Sequence, residues 1–98
     1  MTTKQDYTYT TIDEVKLVNA EIGHFWFTKE TMKFFNSRVE SELLKGKYFV
    51  TSERQQKSEP KLYTIRKALP DGSIVTEGHF RSWPTLKIAI QHIKLYLE

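Results

Sequence analysis

Two parts of the chain carry hydrophobic residues at helical spacing. Near the N-terminus, four aliphatic residues stand three or four positions apart: Ile12, Val15, Val18 and Ile22. This period predicts a helix over about residues 12–21. The stretch TIDE at residues 11–14 matches a capping box, in which a threonine hydroxyl and a glutamate satisfy backbone N–H groups of the first turn. Gly23 is a plausible stop for this helix.

The last part of the chain has the broader pattern. Its apolar stripe consists of Leu86, Ala89, Ile90, Ile93 and Leu97, and it is widened by Ile88, Leu95 and Tyr96. Ser82 or Thr85 can cap the helix, and Pro84 suits its first turn. A stripe of this width predicts a helix that lies on a sheet.

An aromatic stretch, IGHFWFTKETMKFF at residues 22–35, follows the first helix. Thr28 is a candidate N-cap, and it predicts a second short helix that ends at about Asn36. Four of the apolar side chains are expected in the core: Phe25, Phe27, Met32 and Phe34. Trp26 falls out of register with its neighbours, so its exposure decides whether this stretch belongs to a binding surface.

Between these helices the pattern changes to segments rich in β-branched and aromatic residues. Strands are predicted within residues 37–44, 47–54, 61–69 and 73–80, with turns at KG (45–46) and PDG (70–72). Connections this short imply an antiparallel meander. The chain is therefore predicted to be an α+β domain. Its sheet has about four strands and is covered by N-terminal short helices and a C-terminal helix, all on one face.

Residues 1–10 are polar and are predicted to form an arm, with one domain over residues 11–98. The arm has no apolar segment typical of a secretory signal, and no apolar run in the chain is long enough to span a membrane.

The residues offer little for catalysis or metal binding. Cysteine is absent, so disulfides and thiolate metal sites are excluded. The histidines, His24, His79 and His92, have no metal-ligand spacing, and no G-x-S-x-G or glycine-rich phosphate loop occurs. We therefore expect no enzyme activity, no cofactor and no metal.

Charge raises the possibility of an anionic partner. The formal net charge is +3, and residues 29–67 hold ten basic but only five acidic residues. Basic and aromatic residues alternate around Tyr48 and Tyr63, as in proteins that stack nucleic-acid bases on a sheet. The alternation of side chains along a strand argues against base stacking on this sheet, because Arg66 and Tyr63 must lie on opposite faces. A solvated strand face explains the same residues without any partner.

Five segments carry a family resemblance: IGHFWF, TMKFFNSRV, YFVTSE, YTIR before a turn, and SWPTLKIAIQHI. Together they resemble small accessory proteins of bacteriophages and other mobile elements. The resemblance implies a cytoplasmic protein of the host cell. It also suggests a host or defence-system protein as partner, as for inhibitors of CRISPR effectors.

The predicted function is therefore non-enzymatic protein binding. Trp, Tyr and Arg are common anchors of interfaces, and the candidate partner-binding residues are Trp26, Arg38, Tyr48, Arg54, Arg66 and Lys67. Two alternatives stay open. One is nucleic-acid binding by a basic and aromatic sheet face, and the other is a homo-oligomer, such as a homodimer, that pairs edge strands.

Overall fold

A computed structural model describes residues 9–34, 36–54, 56 and 58–98. Its elements, in chain order, are α1 (Ile12–Glu21), α2 (Lys29–Phe34), β1 (Arg38–Val39), β2 (Tyr48–Glu53), β3 (Leu62–Ala68), β4 (Ile74–Glu77) and α3 (Leu86–Tyr96). The predicted α+β class and element order are confirmed. Of the predicted arm, residues 1–8 lie outside the described residues, and Tyr9 is buried.

The four strands form one sheet in the order β1-β2-β3-β4, each antiparallel to its neighbour, as predicted. The first strand is much shorter than the sequence pattern suggested. After Val39, the Ser41 hydroxyl accepts the N–H of Val50 at 2.9 Å. This side-chain bond takes the place of a ladder bond, and Lys45 and Gly46 then turn the chain with positive φ. Most of the first predicted strand is therefore irregular.

The capping prediction for α1 is confirmed with a shift of one residue. The Thr11 hydroxyl accepts from the N–H of Glu14 at 3.2 Å. Glu14 Oε1 in turn accepts from the N–H of Thr10 at 2.6 Å, one residue before the cap. The first bond satisfies a donor of the first turn, which the helix cannot satisfy for itself, and the second links the residue before the cap to that turn.

Helices cover both faces of the sheet. On one face, Tyr48, Val50 and Ile65 pack against Ala89 and Ile93 of α3. We call this the α3 face.

The opposite face carries the N-terminal segment, and we call it the N-terminal face. Here Val15 of α1 packs with Tyr9 and Ala68, and Trp26 and Phe27 contact Phe49. The expectation of helices on a single face is wrong. The reason lies in β2. Its apolar side chains point to both faces of the sheet, and every residue of the strand is buried.

Several apolar residues expected in the core lie at the surface. Phe25 is 53% exposed and Phe34 is 82% exposed. Phe25 sits at positive φ in the turn before α2, and the six-residue α2 buries none of its side chains. On α3, the outer residues Leu95 and Tyr96 are also exposed, because the sheet contacts only the central stripe.

The turn between β3 and β4 fixes α1 on the sheet. Asn19, buried in α1, donates from Nδ2 to the carbonyl of Gly72 at 2.9 Å. Its Oδ1 accepts the N–H of Trp26 at 2.7 Å. Gly72 has φ of +101°, and a Cβ there would lie 2.7 Å from Val18 Cγ1. One buried amide thus links α1, the PDG turn and the segment that carries Trp26.

No helix among the described residues is both long and apolar enough to cross a membrane.

Candidate binding site

A buried ion pair lies on the N-terminal face of the sheet. Arg66 Nη2 of β3 donates to Glu53 Oε2 of β2 at 3.1 Å. The same oxygen accepts from the hydroxyls of Ser37 at 2.8 Å and Thr51 at 2.6 Å. Thr64 donates to Oε1 at 2.7 Å. A buried charge is tolerated only when it is paired and hydrogen-bonded, and four bonds meet that condition for Glu53.

The strand register brings these groups together. Thr51 stands opposite Thr64, and Arg66 stands opposite Thr76. Arg66 therefore donates from Nε to Thr51 Oγ1 at 3.2 Å and from Nη1 to Thr76 Oγ1 at 2.7 Å. Burial lowers the pKa of Arg66, and the charge and hydrogen bond of Glu53 oppose that shift. An arginine side chain stays protonated under these conditions, so the pair is ionic.

Two aromatic rings flank the guanidinium of Arg66. Its Cζ lies 5.2 Å from the ring centroid of Trp26 and 5.4 Å from that of Phe80. With Thr76, these side chains line a groove of 240 Å³, which we call the aromatic groove. Trp26 is half-buried and packs edge-on against Phe27 and Phe49. Trp26 is thus both a packed residue and a wall of an open groove.

A second cleft lies at the end of β2, on the carboxylate side of the ion pair. It has a volume of 210 Å³, and Glu53 and Ser52 contribute to its lining. Around them stand three cations and two amides: Arg38, Arg54, Lys61, Asn36 and Gln56. We call it the basic cleft.

Glu40 borders the basic cleft. Its Oε2 accepts from Ser52 Oγ at 2.6 Å and pairs with Lys61 Nζ at 3.4 Å. Burial alone would raise the pKa of Glu40. The hydrogen bond from Ser52 and the positive charges of Lys61 and Arg38 outweigh burial, so the pKa lies below its ordinary value.

The six candidate partner-binding residues fall into three places. Trp26 and Arg66 meet in the aromatic groove, and Arg38 and Arg54 meet in the basic cleft. Tyr48 and Lys67 lie on the α3 face, where Lys67 Nζ is 5.8 Å from the Tyr48 ring.

Tyr48 belongs to the core. It is only 4% exposed, and burial raises the pKa of its hydroxyl. Its ring is therefore not available to stack on a nucleic-acid base.

Sequence reasoning missed Glu53, Thr64, Thr76, Phe80 and Lys61 as site residues. A signal was present, because Thr51 and Glu53 alternate along one strand while Thr64 and Arg66 alternate along the next. Polar residues that alternate in two paired strands line up on one face. Such a face is ordinarily solvated, and only the N-terminal segment that covers it turns these residues into a buried network.

The described part of the chain contains no group of three or more His, Cys, Asp and Glu residues that could hold a metal ion. His24 is exposed, and the His92 ring lies 4.6 Å from that of Trp83.

The fold and its two clefts define a small α+β domain built around a buried ion pair. The chain belongs to a family of unknown function, DUF7447, whose family model matches residues 11–94. The match runs from the N-cap of α1 to the last turns of α3. No curated protein and no solved structure matches the chain.

Proposed function

We propose that this protein is a non-enzymatic, protein-binding accessory protein of bacteriophage or mobile-element type. Its partner would be a host protein in the cytoplasm, such as a CRISPR effector or another component of a defence system. The observation that supports binding is the aromatic groove, where Phe80 is 47% exposed beside Trp26 and Arg66. The assignment to phage or mobile elements rests on the sequence resemblance alone.

The chemistry of the groove suits a protein interface. Aromatic residues and arginine are enriched where partners bury side chains, and the strongest contacts form in preorganised pockets. Arg66 is held by three hydrogen bonds, and Trp26 by two ring contacts and a backbone bond. A partner side chain that enters the groove therefore meets walls that are already ordered, which lowers the entropic cost of binding.

Phe25 extends the apolar surface next to the groove. It is exposed and lies directly before Trp26, at the edge of a neighbouring hollow that it shares with Phe27. Exposed aromatic residues that lie together mark protein-interaction sites more often than isolated ones do. The docking surface in this proposal consists of Phe25, Trp26 and Phe80.

Affinity capture from host cells tests the proposal. The tagged protein is compared with Phe80→Ala, which removes an exposed ring, and with the control Ile88→Ala on the outer side of α3. We expect one host protein to be recovered by the wild type and by Ile88→Ala but to be lost with Phe80→Ala. Binding of the purified partner is then measured by calorimetry. Equal binding by all three forms would contradict the proposed surface.

Nucleic-acid binding is a second candidate, and a specific observation favours it. The basic cleft gathers Arg38, Arg54 and Lys61, although Tyr48 is buried and the predicted stacking face is lost. Measured binding to DNA or RNA at low salt, with affinity that falls as salt rises, would support this function. Recovery of the protein with itself alone would instead support the homo-oligomer.

A further inference from the structure

We propose that the basic cleft is a binding site for a phosphate group. This site is separate from the aromatic groove, and it stands whether or not the groove binds a protein. Its walls come from three places in the chain: β1 with the residues before it, the end of β2, and the loop that leads into β3.

The charge of the cleft fits a dianion. Three cations, Arg38, Arg54 and Lys61, line the cleft together with one carboxylate, Glu53, so the formal excess of the lining residues is two positive charges. A phosphate monoester carries about −1.5 to −2 at neutral pH. Its charge is therefore opposite in sign to the formal charge of the lining residues and similar in size.

The carboxylate of Glu53 does not oppose an anion in the cleft. It accepts four hydrogen bonds from Ser37, Thr51, Thr64 and Arg66. These bonds hold its oxygens in the interior, and the positive charge of Arg66 lies directly behind them. Glu40, the other carboxylate, is bonded to Ser52 and Lys61. Both carboxylates are therefore already hydrogen-bonded within the chain.

The cleft is preorganised and small. Asn36 Nδ2 donates to the carbonyl of Arg54 at 2.9 Å and ties the two sides of the cleft together. At 210 Å³, the cleft is below the roughly 300 Å³ at which pockets for drug-sized ligands begin. It suits a single charged group and not a whole nucleotide. Guanidinium groups match phosphate oxygens with paired N–H donors, and two of them converge here.

An NMR titration of the full chain with inorganic phosphate tests the proposal, with chloride added to hold ionic strength constant. We expect saturable shifts of the backbone amides of Asn36, Arg38, Arg54 and Gln56. Arg38→Gln and Arg54→Gln should each weaken binding by about tenfold or more. The control is Lys87→Gln, which removes one positive charge at an exposed position of α3. This variant should bind phosphate as the wild type does. Linear shifts without saturation, or equal weakening by Lys87→Gln, would overturn the proposal.

Arg38 is exposed, so its substitution leaves the fold intact and keeps the test valid if Arg54→Gln is unstable. The source of the phosphate is separated by two further probes, thymidine monophosphate and a short oligothymidylate. Tighter binding of the oligonucleotide than of the mononucleotide assigns the cleft to strand phosphates, and equal binding assigns it to a free phosphate compound. Phe80→Ala should bind phosphate normally, so failure of the protein-binding proposal leaves this result unchanged.

Discussion

The two faces of the sheet are stabilised by different kinds of interaction. On the α3 face, aliphatic and aromatic side chains from β2, β3 and α3 form an apolar core. On the N-terminal face, the same two strands hold an ion pair and a set of threonine hydroxyls beneath Trp26. Hydrophobic burial is non-directional and tolerates small shifts, whereas hydrogen-bonded charges require one arrangement. The α3 face thus contributes hydrophobic burial alone, while the N-terminal face combines an apolar cluster with a hydrogen-bonded network that fixes geometry.

The ion pair of Arg66 and Glu53 determines where the two candidate binding sites lie. Both clefts open on the ion pair, one at the guanidinium of Arg66 and the other at the carboxylate of Glu53. None of the contacts of α3 with the sheet contributes a lining residue to either cleft. The aromatic groove lies on the N-terminal face, whereas Arg38 and Ser52 of the basic cleft lie on the α3 side of the sheet edge. Four predictions test whether the two faces behave as differently as their contacts suggest.

The largest effect is expected from Glu53→Ala. This change leaves Arg66 buried without its carboxylate and also removes the acceptor of three hydroxyls. Breaking a buried pair in this way costs about 3–5 kcal/mol in the free energy of unfolding. Urea denaturation measures the loss.

A double variant, Glu53→Leu with Arg66→Met, is the control for that experiment. It removes both charges together, so much of the stability should return. A single variant that loses less than about 1 kcal/mol would show that the pair is not the centre of the polar face.

On the apolar face, Ile93→Ala should lower the free energy of unfolding by about 2–5 kcal/mol, because the side chain is fully buried against the sheet. The matched change Ile88→Ala, at a position 43% exposed on the same helix, should cost less than about 1 kcal/mol. We expect Ile93→Ala to leave phosphate binding intact in the folded fraction. Weakened binding there would mean that the two faces are not independent.

Gly72→Ala tests how closely α1 must pack against the turn between β3 and β4. The new Cβ would lie 2.7 Å from Val18 Cγ1, and φ is already positive. The control Gly23→Ala also has positive φ but meets no atom within 4 Å. Overpacking should make Gly72→Ala less stable than the control by about 1–3 kcal/mol in thermal or urea unfolding. Equal losses would show that α1 moves freely over the turn.

The smallest effect concerns Glu40, the carboxylate on the α3 side of the basic cleft. Its pKa in the folded protein lies below the ordinary value, so folding favours the ionised form. Its contribution to stability is present above about pH 4.3, the usual glutamate pKa, and is lost as pH falls through the lowered value. Glu40→Gln should therefore lose less stability than the wild type between neutral and acidic pH. Parallel pH profiles for the two proteins would contradict the assignment.

The apolar half of the fold could be predicted from periodicity. The stripe from Leu86 to Leu97 is found where the sequence placed it, and Thr85, one of the two predicted caps, is the N-cap. The same reasoning failed for Phe25 and Phe34, since hydrophobicity says which residues favour the core but not how much sheet is available to cover them. Phe34 is the last residue of a short helix that buries none of its side chains, and no sequence pattern encodes that geometry.

The buried polar network on the N-terminal face was harder to predict, because its burial depends on residues that are distant in the sequence. Alternation correctly placed Arg66 and Tyr63 on opposite faces of β3. It could not show that a turn at Trp26, fixed by Asn19, covers the face that carries Arg66. Arg66 was predicted to meet a partner, and within the chain its guanidinium donates to Glu53, Thr51 and Thr76. Long-range contacts decide whether a strand charge faces solvent or a counter-charge.

The two tryptophans lie on opposite sides of the sheet. Trp26 contacts Phe49 and Arg66 on the N-terminal face, and Trp83 packs with the α3 core and stacks on His92. The protein therefore contains one tryptophan on each side of the sheet. With Trp83→Phe the emission reports only the layer that borders the aromatic groove, and with Trp26→Phe it reports only the layer beneath α3. Stopped-flow unfolding of these two forms would show, without any attached label, which layer opens first.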